Sequence, residues 1–340
     1  MIALRLHDKR DLRLHEEPAP APRDDELLLR VTAVGLCGSD LHWFAEGGIG
    51  DAVLTRPLVL GHEFAGVVES GPRAGERVAL DPAVPCGRCG PCLAGDENLC
   101  VACRFAGHGS TDGALRGLMA WPERLAHCVP DSLSDAEAAL LEPLGVALHA
   151  LDLGRIGPGA TAGVYGCGPL GLLLVQLLRL AGVDVLVATD PLRHRVAAAE
   201  ALGATLALET RRAGAEILPA GLPGGGVDVA FEVAGEDDAI ATAIDTLRPG
   251  GRLVLVGIPS NDRSSFTAST ARRKGLTISL CRRMRPSDLP RAIELAERRR
   301  VELGRLVSER YGLAEWAEAF AALSSRRALK VVVEPQREAA

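Results

Sequence analysis

The sequence predicts an α/β protein made of two dissimilar parts: an antiparallel, barrel-like β domain and a parallel sheet wound between helices. Three observations carry this. Up to about residue 140 the chain reads as short alternating segments broken by Gly and Pro. From about Gly145 it changes to apolar runs without polar alternation, separated by helical stretches, the mark of a parallel sheet covered on both faces. One of those runs leads straight into Gly166-Cys167-Gly168-Pro169-Leu170-Gly171.

In the first part, Glu26–Val34, Phe64–Ser70, Arg77–Ala79 and Ala126–Val129 read as strands. Ser134 with Glu137 three residues on is a capping-box pattern, so a helix is expected over Ser134–Leu141. In the second part the expected strands are Ala162–Tyr165, Asp184–Thr189, Val227–Val233 and Arg252–Val256. The expected helices are Leu144–Leu153, Pro169–Leu180, Arg193–Leu202 with Gly203 closing it, and Ala239–Leu247. From Gly275 onward come a strand (Thr277–Cys281), two helices (Leu289–Arg299 and Ala314–Leu323) and a last strand (Leu329–Val333), with fraying expected over Gln336–Ala340. This tail is expected to return to the first domain. The assignment is therefore 1–144 with 275–340 for one domain and 145–274 for the other, inserted one.

Composition bounds the function. At roughly 150 residues per domain, 340 residues make about two domains. A net charge of −6 leaves no basic face for nucleic acid, and the Arg runs at 272–274, 282–285 and 298–300 read as solvated faces. Only three of the 38 basic residues are lysines (Lys9, Lys274, Lys330), read as compositional bias without function. No stretch approaches the roughly 18 apolar residues of a membrane span. Met1–Arg10 lacks the apolar core of a signal peptide, so a cytoplasmic protein is expected. In that reducing setting nine cysteines point to metal or catalysis before disulfides.

Cys86, Cys89, Cys92 and Cys100 follow a C-x2-C-x2-C-x7-C pattern with glycines at the turns. Four thiolates close a tetrahedral site, which is the structural kind of zinc centre. A ferredoxin-type cluster fits less well, because the fourth gap is long and no Pro follows Cys100. Cys103 and Cys128 are left over and read as small core hydrophobes. A second constellation, Cys37, His62, Glu63 and Glu142, offers sulfur, imidazole and carboxylates, the ligands of a catalytic zinc that keeps one position open. Taken singly, His62 also fits a satisfied buried histidine and Glu142 a helix-end acid.

The Gly166–Gly171 loop follows a strand, opens a helix, and has Asp190 at the end of the next strand, 19 residues past Gly171. That context makes it a dinucleotide loop: the glycines admit the pyrophosphate and the acid accepts from the ribose hydroxyls. Asp190 favours NAD, while Arg193 and Arg195 just beyond leave NADP open.

Assembled, these motifs resemble the zinc-containing medium-chain dehydrogenases over nearly the whole chain, and within them the polyol (sorbitol-type) branch. The resemblance rests on "GLCGSDLHWFAEGGIG", "PLVLGHEFAGVV", the four-cysteine lobe, "LLEPLGVALHA" and "GVYGCGPLG". It implies a GroES-like catalytic domain with an inserted Rossmann domain, two zinc ions per chain (one catalytic, one structural) and NAD. The catalytic ion would be held by Cys37, His62 and Glu63, with Glu142 binding directly or through water. Ser39 and His42 would form the proton relay, with Asp40 supporting His62. Gly166, Gly168, Pro169, Leu170, Gly171, Asp190 and Arg195 would hold the cofactor. Trp43, Ile49, Phe105 and Arg282 would line the substrate site. A secondary hydroxyl of a polyol would be oxidised to a ketone by a homodimer or homotetramer. Gly48, Trp43, Cys281 and Arg283 depart from the branch's usual residues, which leaves a threonine-type 3-dehydrogenase or an aminocyclitol dehydrogenase open. A non-catalytic NAD-sensing protein is the alternative of another class.

Overall fold

The computed structural model describes residues 1–260 and 262–337. The chain divides into two compact units, Met1–Gly145 with Arg285–Ala340, and Val146–Met284.

The first unit is built on a seven-stranded sheet. Its axis is the strand Glu26–Gly35, whose alternating half-buried and buried residues are those of a strand with one face on a core. It pairs antiparallel with Glu63–Val68, with Leu118–Pro122 and, at its end, with Lys330–Glu334. Arg77–Leu80, Ala126–Cys128 and Val307–Gly312 complete the sheet. A hairpin, Ile2–Asp8 with Asp11–Glu16, joins Leu58–Val59 in a second, three-stranded sheet. Leu29, Val31, Trp43, Phe64, Trp121 and Phe320 are buried together in the core. The hairpin, the helix Gly38–Glu46 and the strand Val307–Gly312 are elements that the sequence pattern did not reveal.

The capping box forms as the pattern requires. Glu137 N–H donates to Ser134 Oγ, and Ser134 N–H donates to the Glu137 carboxylate at 2.9 Å. The helix it starts is short, Asp135–Ala139, and a second runs from Leu141 to Gly154, which puts Glu142 in a first turn.

The second unit is a six-stranded, all-parallel sheet. Its order is Leu206–Glu209, Val185–Asp190, Thr161–Tyr165, Val227–Glu232, Leu247–Leu255, Thr277–Leu280. The first strand in sequence lies mid-sheet, the doubly wound arrangement. Helices Pro169–Leu180, Arg193–Ala201, Asp237–Thr246 and Ala268–Lys274 connect the strands.

Some sequence expectations change here. Thr277–Leu280 pairs with Leu247–Leu255, so the segment from Gly275 stays with the second unit through Met284 instead of returning to the first. Leu247–Leu255 therefore has both edges occupied, and the outer strands of the sheet are Leu206–Glu209 and Thr277–Leu280. Gln336 is not frayed: its side-chain amide donates to Val31 O and Gly117 O, while residues 338–340 lie outside the described residues. Cys128 is exposed rather than core, its thiol donating to Glu76. Lys274 is more than compositional, since its ammonium donates to the carbonyls of Ile244, Asp245 and Leu247 at the end of the helix Asp237–Thr246. Among the described residues no helix is long and apolar enough to cross a membrane.

Candidate active site

One buried carboxylate joins the two loops that carry the candidate ligands. Asp40 Oδ2 accepts from the N–H of Cys37 at 2.9 Å, closing the start of the helix Gly38–Glu46. Its Oδ1 accepts from Gly61 N at 3.1 Å and lies 3.6 Å from His62 Nδ1. Burial opposes ionisation of Asp40, but His62 and the Cys37 and Gly61 N–H groups outweigh it and hold the carboxyl below its usual range. Burial likewise works against a charged His62, yet Asp40 and Cys37 carry its pKa well above the ordinary value. Orientation of a ligating imidazole by a carboxylate on its other nitrogen is a recurring feature of metal sites.

The donor atoms of Cys37, His62 and Glu63 all lie within 4.8 Å of one another. A thiolate, an imidazole and a carboxylate gathered this closely are a donor set that fits a zinc ion with an open fourth position. Glu142 is buried beside them but outside that cluster. Burial pushes its carboxyl up to about 8, Glu63 and Asp81 adding to this while His62 and Lys330 pull against it.

Lys330 was not anticipated as part of this site. Its ammonium pairs with Glu63 Oε2 and donates to Leu36 O at 3.0 Å. The register explains the meeting: Gly35 sits opposite Glu63 on one side and opposite Val332 on the other. A Cβ on Gly35 would lie 2.2 Å from Glu63 Oε2 and 3.0 Å from Lys330 Cε, so only glycine leaves room for the pair. The available signal was a lysine inside the apolar run "ALKVVV".

Ser39 Oγ lies 3.4 Å from His62 Nε2. His42 is one turn further along the same helix, with Nδ1 3.1 Å from Glu46 Oε1. The Phe105 ring is centred 5.4 Å from that of His62. Trp43 belongs to the core of the unit and stands edge-on to His108 at 5.3 Å; His108, unflagged by the sequence reading, also meets Phe105 edge-on. Ile49 is half-buried and packs on the same core. Arg282 is exposed and belongs to the second unit.

The four cysteines of the lobe converge, with all four sulfurs within 4.8 Å of one another. Cys89 Sγ is 3.4 Å from Cys92 Sγ and 3.8 Å from Cys100 Sγ. Four ligands at the usual Zn–S length sit about 3.8 Å apart around a tetrahedron, so the set fits. Backbone N–H groups of Cys92 and Val101 hold Cys89 down at about 6, whereas desolvation and its neighbouring thiols push Cys92 up to about 12. All nine cysteines are unbridged.

In the second unit the Gly-rich loop is drawn tight. Gly166 has φ +107°, and a Cβ there would lie 2.8 Å from Ala234 N; one on Gly171 would lie 2.0 Å from Gly166 O. Gly168 caps the helix Pro169–Leu180, where Pro169 and Leu170 form the first turn. Such an uncrowded helix start accepts a pyrophosphate. Asp190 is buried at the end of its strand. Its Oδ2 accepts from Cys167 N and its Oδ1 from Leu192 N, both at 2.9 Å, so the acid also braces the loop. Arg195 Nη1 lies 3.9 Å from Asp190 Oδ2.

A thiolate–imidazole–carboxylate centre, a four-cysteine lobe and a doubly wound dinucleotide sheet define a zinc- and nicotinamide-dependent dehydrogenase class. The comparisons agree. Residues 23–131 match the alcohol dehydrogenase GroES-like domain, and residues 169–298 the zinc-binding dehydrogenase family. Sorbitol dehydrogenase of Bacillus subtilis (strain 168) is 35% identical over 346 residues, covering 99% of this chain and 98% of the relative. The structure of 2R,3R-butanediol dehydrogenase from Bacillus subtilis aligns with TM-score 0.86 and 29% identity over 98% of this chain and 99% of that one. A structure from Sinorhizobium meliloti 1021, assigned to the zinc-binding dehydrogenases and bound to NADP, aligns with TM-score 0.88 and 30% identity, again over 98% and 99%. The chain belongs to the zinc-containing medium-chain dehydrogenase family.

Proposed function

We propose that this protein oxidises a secondary hydroxyl of a polyol to the ketone, passing hydride to NAD. The observation that carries the reading is the convergence of Cys37, His62 and Glu63 on one point, with Asp40 buried behind His62. When bound, zinc at these three residues supplies Lewis acidity toward a hydroxyl oxygen, and the dinucleotide at Gly166–Gly171 supplies the hydride acceptor. Asp40 holds His62 through Nδ1 and leaves Nε2 as the donor atom. Ser39, beside His62, takes the hydroxyl proton, and His42, steadied by Glu46, passes it outward. Glu142 provides a further buried carboxylate next to the donors and is the second route for that proton. Phe105 and Ile49 form the apolar side of the substrate pocket, while Trp43 lies in the core on which Ile49 packs. The four-cysteine lobe holds a second zinc whose role is structural, because no position is left open.

Asp190 supports NAD, since a buried carboxylate repels a 2′-phosphate. Arg195 beside it, and the NADP found in the Sinorhizobium meliloti structure, make NADP the second reading. The open edge strand Thr277–Leu280, with Leu280 76% exposed, supports a symmetric homo-oligomer, a dimer or tetramer.

The test is turnover of sorbitol, xylitol, 2,3-butanediol, threonine and an aminocyclitol with NAD and with NADP, followed by nicotinamide absorbance, with metal content measured in parallel. Turnover of the polyols with NAD and two zinc ions per chain are expected. Turnover of threonine or the aminocyclitol alone would reassign the substrate, and absence of any turnover with one zinc per chain would point to a sensor.

A further inference from the structure

The second unit carries a cavity that the proposed chemistry does not use. Its volume is 460 Å³, and it lies at the amino-terminal ends of the strands Thr161–Tyr165 and Val227–Glu232, lined by Arg155, Arg248, Arg252, Asp228, Gly157 and Gly159 among others. The Gly-rich loop is at the opposite, carboxyl end of Thr161–Tyr165. A five-residue strand spans about 17 Å, so the two places are separate.

The charges in this cavity are unevenly matched. Asp228 is the one carboxylate against three guanidinium groups, and it is fully engaged. Its Oδ2 accepts from Thr161 N and Oγ1 at 2.8 Å each, and its Oδ1 accepts from Arg248 Nε at 2.6 Å. These bonds, against the opposition of burial, hold the carboxyl below its usual range. Arg248 also donates to Pro249 O at 2.9 Å. That leaves the guanidinium groups of Arg155 and Arg252 with no side-chain or backbone acceptor among the described residues. Arg155 is exposed and Arg252 half-buried, so both charges are hydrated and open to an anion, each guanidinium having five donors and staying charged at every physiological pH. Gly157 and Gly159 are exposed, and a Cβ on either would meet nothing within 4 Å, so this side of the depression is open to solvent.

We propose that this cavity binds a small phosphate-bearing anion, held by Arg155 and Arg252, with Arg248 fixed behind them by Asp228. Guanidinium pairs bind tetrahedral oxyanions bidentately, which an apolar or neutral ligand would leave unused. The volume admits inorganic phosphate or a small phosphate monoester; the shared chemistry is the phosphate dianion. The ligand would stabilise the second unit by mass action, independently of turnover.

The experiment measures thermal unfolding of the zinc-loaded enzyme with NAD saturating, so that the dinucleotide loop is filled. Inorganic phosphate and glucose 6-phosphate are titrated separately against sodium chloride at matched ionic strength. A saturable, phosphate-specific rise in Tm is expected, and tighter binding of one probe over the other identifies the source of the anion. Arg155→Asn with Arg252→Gln should weaken binding at least about tenfold, each guanidinium contact being worth about 1.4 kcal/mol or more. Asn tolerates the left-handed backbone of residue 155, where φ is 52°, so Arg155→Asn alone keeps the fold and should still weaken binding several-fold. Arg273→Ala, a change at an exposed residue of the helix Ala268–Lys274, should leave it unchanged. A Tm rise no larger than that from chloride, or one equal in the Arg155 variants, or one lost in Arg273→Ala, overturns the proposal.

Discussion

Lys330 and Glu63 form an ion pair inside the first unit, each side chain 2% exposed, and the carboxylate of that pair is one of the three candidate metal donors. Burial works against the ammonium, but Glu63, Cys37 and Asp40 outweigh it and keep Lys330 above the usual lysine range. A buried pair costs little while intact and much when one partner is removed, because the other charge is stranded. Lys330→Met should therefore lower the unfolding free energy by about 3 kcal/mol in urea denaturation of the metal-free chain. A loss under about 1 kcal/mol would mean that water reaches Glu63.

Gly35→Ala attacks the same pair from the backbone. Gly35 is not among the positive-φ glycines, so the penalty is steric, arising from the 2.2 Å approach of the new Cβ to Glu63 Oε2. Overpacking of this kind costs about 1–3 kcal/mol. The carboxylate must swing away, so the variant should keep the structural zinc, lose the other, and fall at least about 100-fold in kcat/KM, a loss of some 2.7 kcal/mol of transition-state stabilisation. Metal analysis of the purified variant checks it; two zinc ions per chain would show that Glu63 can be spared.

What was legible in the sequence is what sits close together in it. The four cysteines span one short lobe, and the Gly-rich loop with Asp190 is a single strand–turn–helix–strand. Cys37 and Asp40 are three residues apart on one helix start. Lys330 and Gly35 were not legible, because their roles follow from strand register between segments nearly 300 residues apart, and composition made Lys330 look incidental. The home of Thr277–Leu280 was hidden for a related reason: a short strand suits either sheet, and only the pairing partner decides. Glu142 was placed near the donors by resemblance, and the geometry leaves it beside the cluster, where burial by apolar helix neighbours sets its chemistry.

The two candidate metal centres should separate by substitution. Cys37→Ser removes the candidate thiolate ligand while Ser still suits the N-cap of the helix Gly38–Glu46, so zinc content should fall from two ions to one with unfolding little changed and turnover lost. Cys89→Ser should also remove one ion but destabilise the lobe, since its sulfur touches those of Cys92 and Cys100. Limited proteolysis between residues 86 and 100 is the check on the second variant. Equal protease resistance in both would remove the structural role from the lobe.

Asp190 braces the Gly-rich loop and is proposed to select the cofactor, and the choice of substitution decides which of the two is tested. Asp190→Ala would also release Cys167 N and slacken the loop, whereas Asp190→Asn keeps an acceptor and removes the charge. With the charge gone and Arg195 still present, the ratio of kcat/KM for NADP over NAD should rise about tenfold, a change of 1.4 kcal/mol. Steady-state kinetics with both cofactors checks this, and an unchanged ratio would take Asp190 out of cofactor selection.

Glu232 gives the second unit a pH dependence with a definite sign. It lies at the end of the strand Val227–Glu232, 1% exposed, and accepts from Ala234 N and Gly235 N at 2.7 Å each. Burial raises its pKa from 4.5 to about 7, the N–H bonds opposing but not cancelling it. The folded chain therefore holds this proton more tightly than the unfolded chain does. The stabilisation is full below pH 4.5 and is lost as pH rises through about 7. That shift is worth about 3 kcal/mol. Glu232→Gln keeps the acceptor oxygen and removes the titration. Its Tm should track the wild type near pH 5 and pull progressively above it by pH 8, other titrating groups cancelling in the difference. A difference that stays flat across this range would place the Glu232 pKa at its ordinary value and make the buried carboxylate's environment more polar than its surroundings indicate.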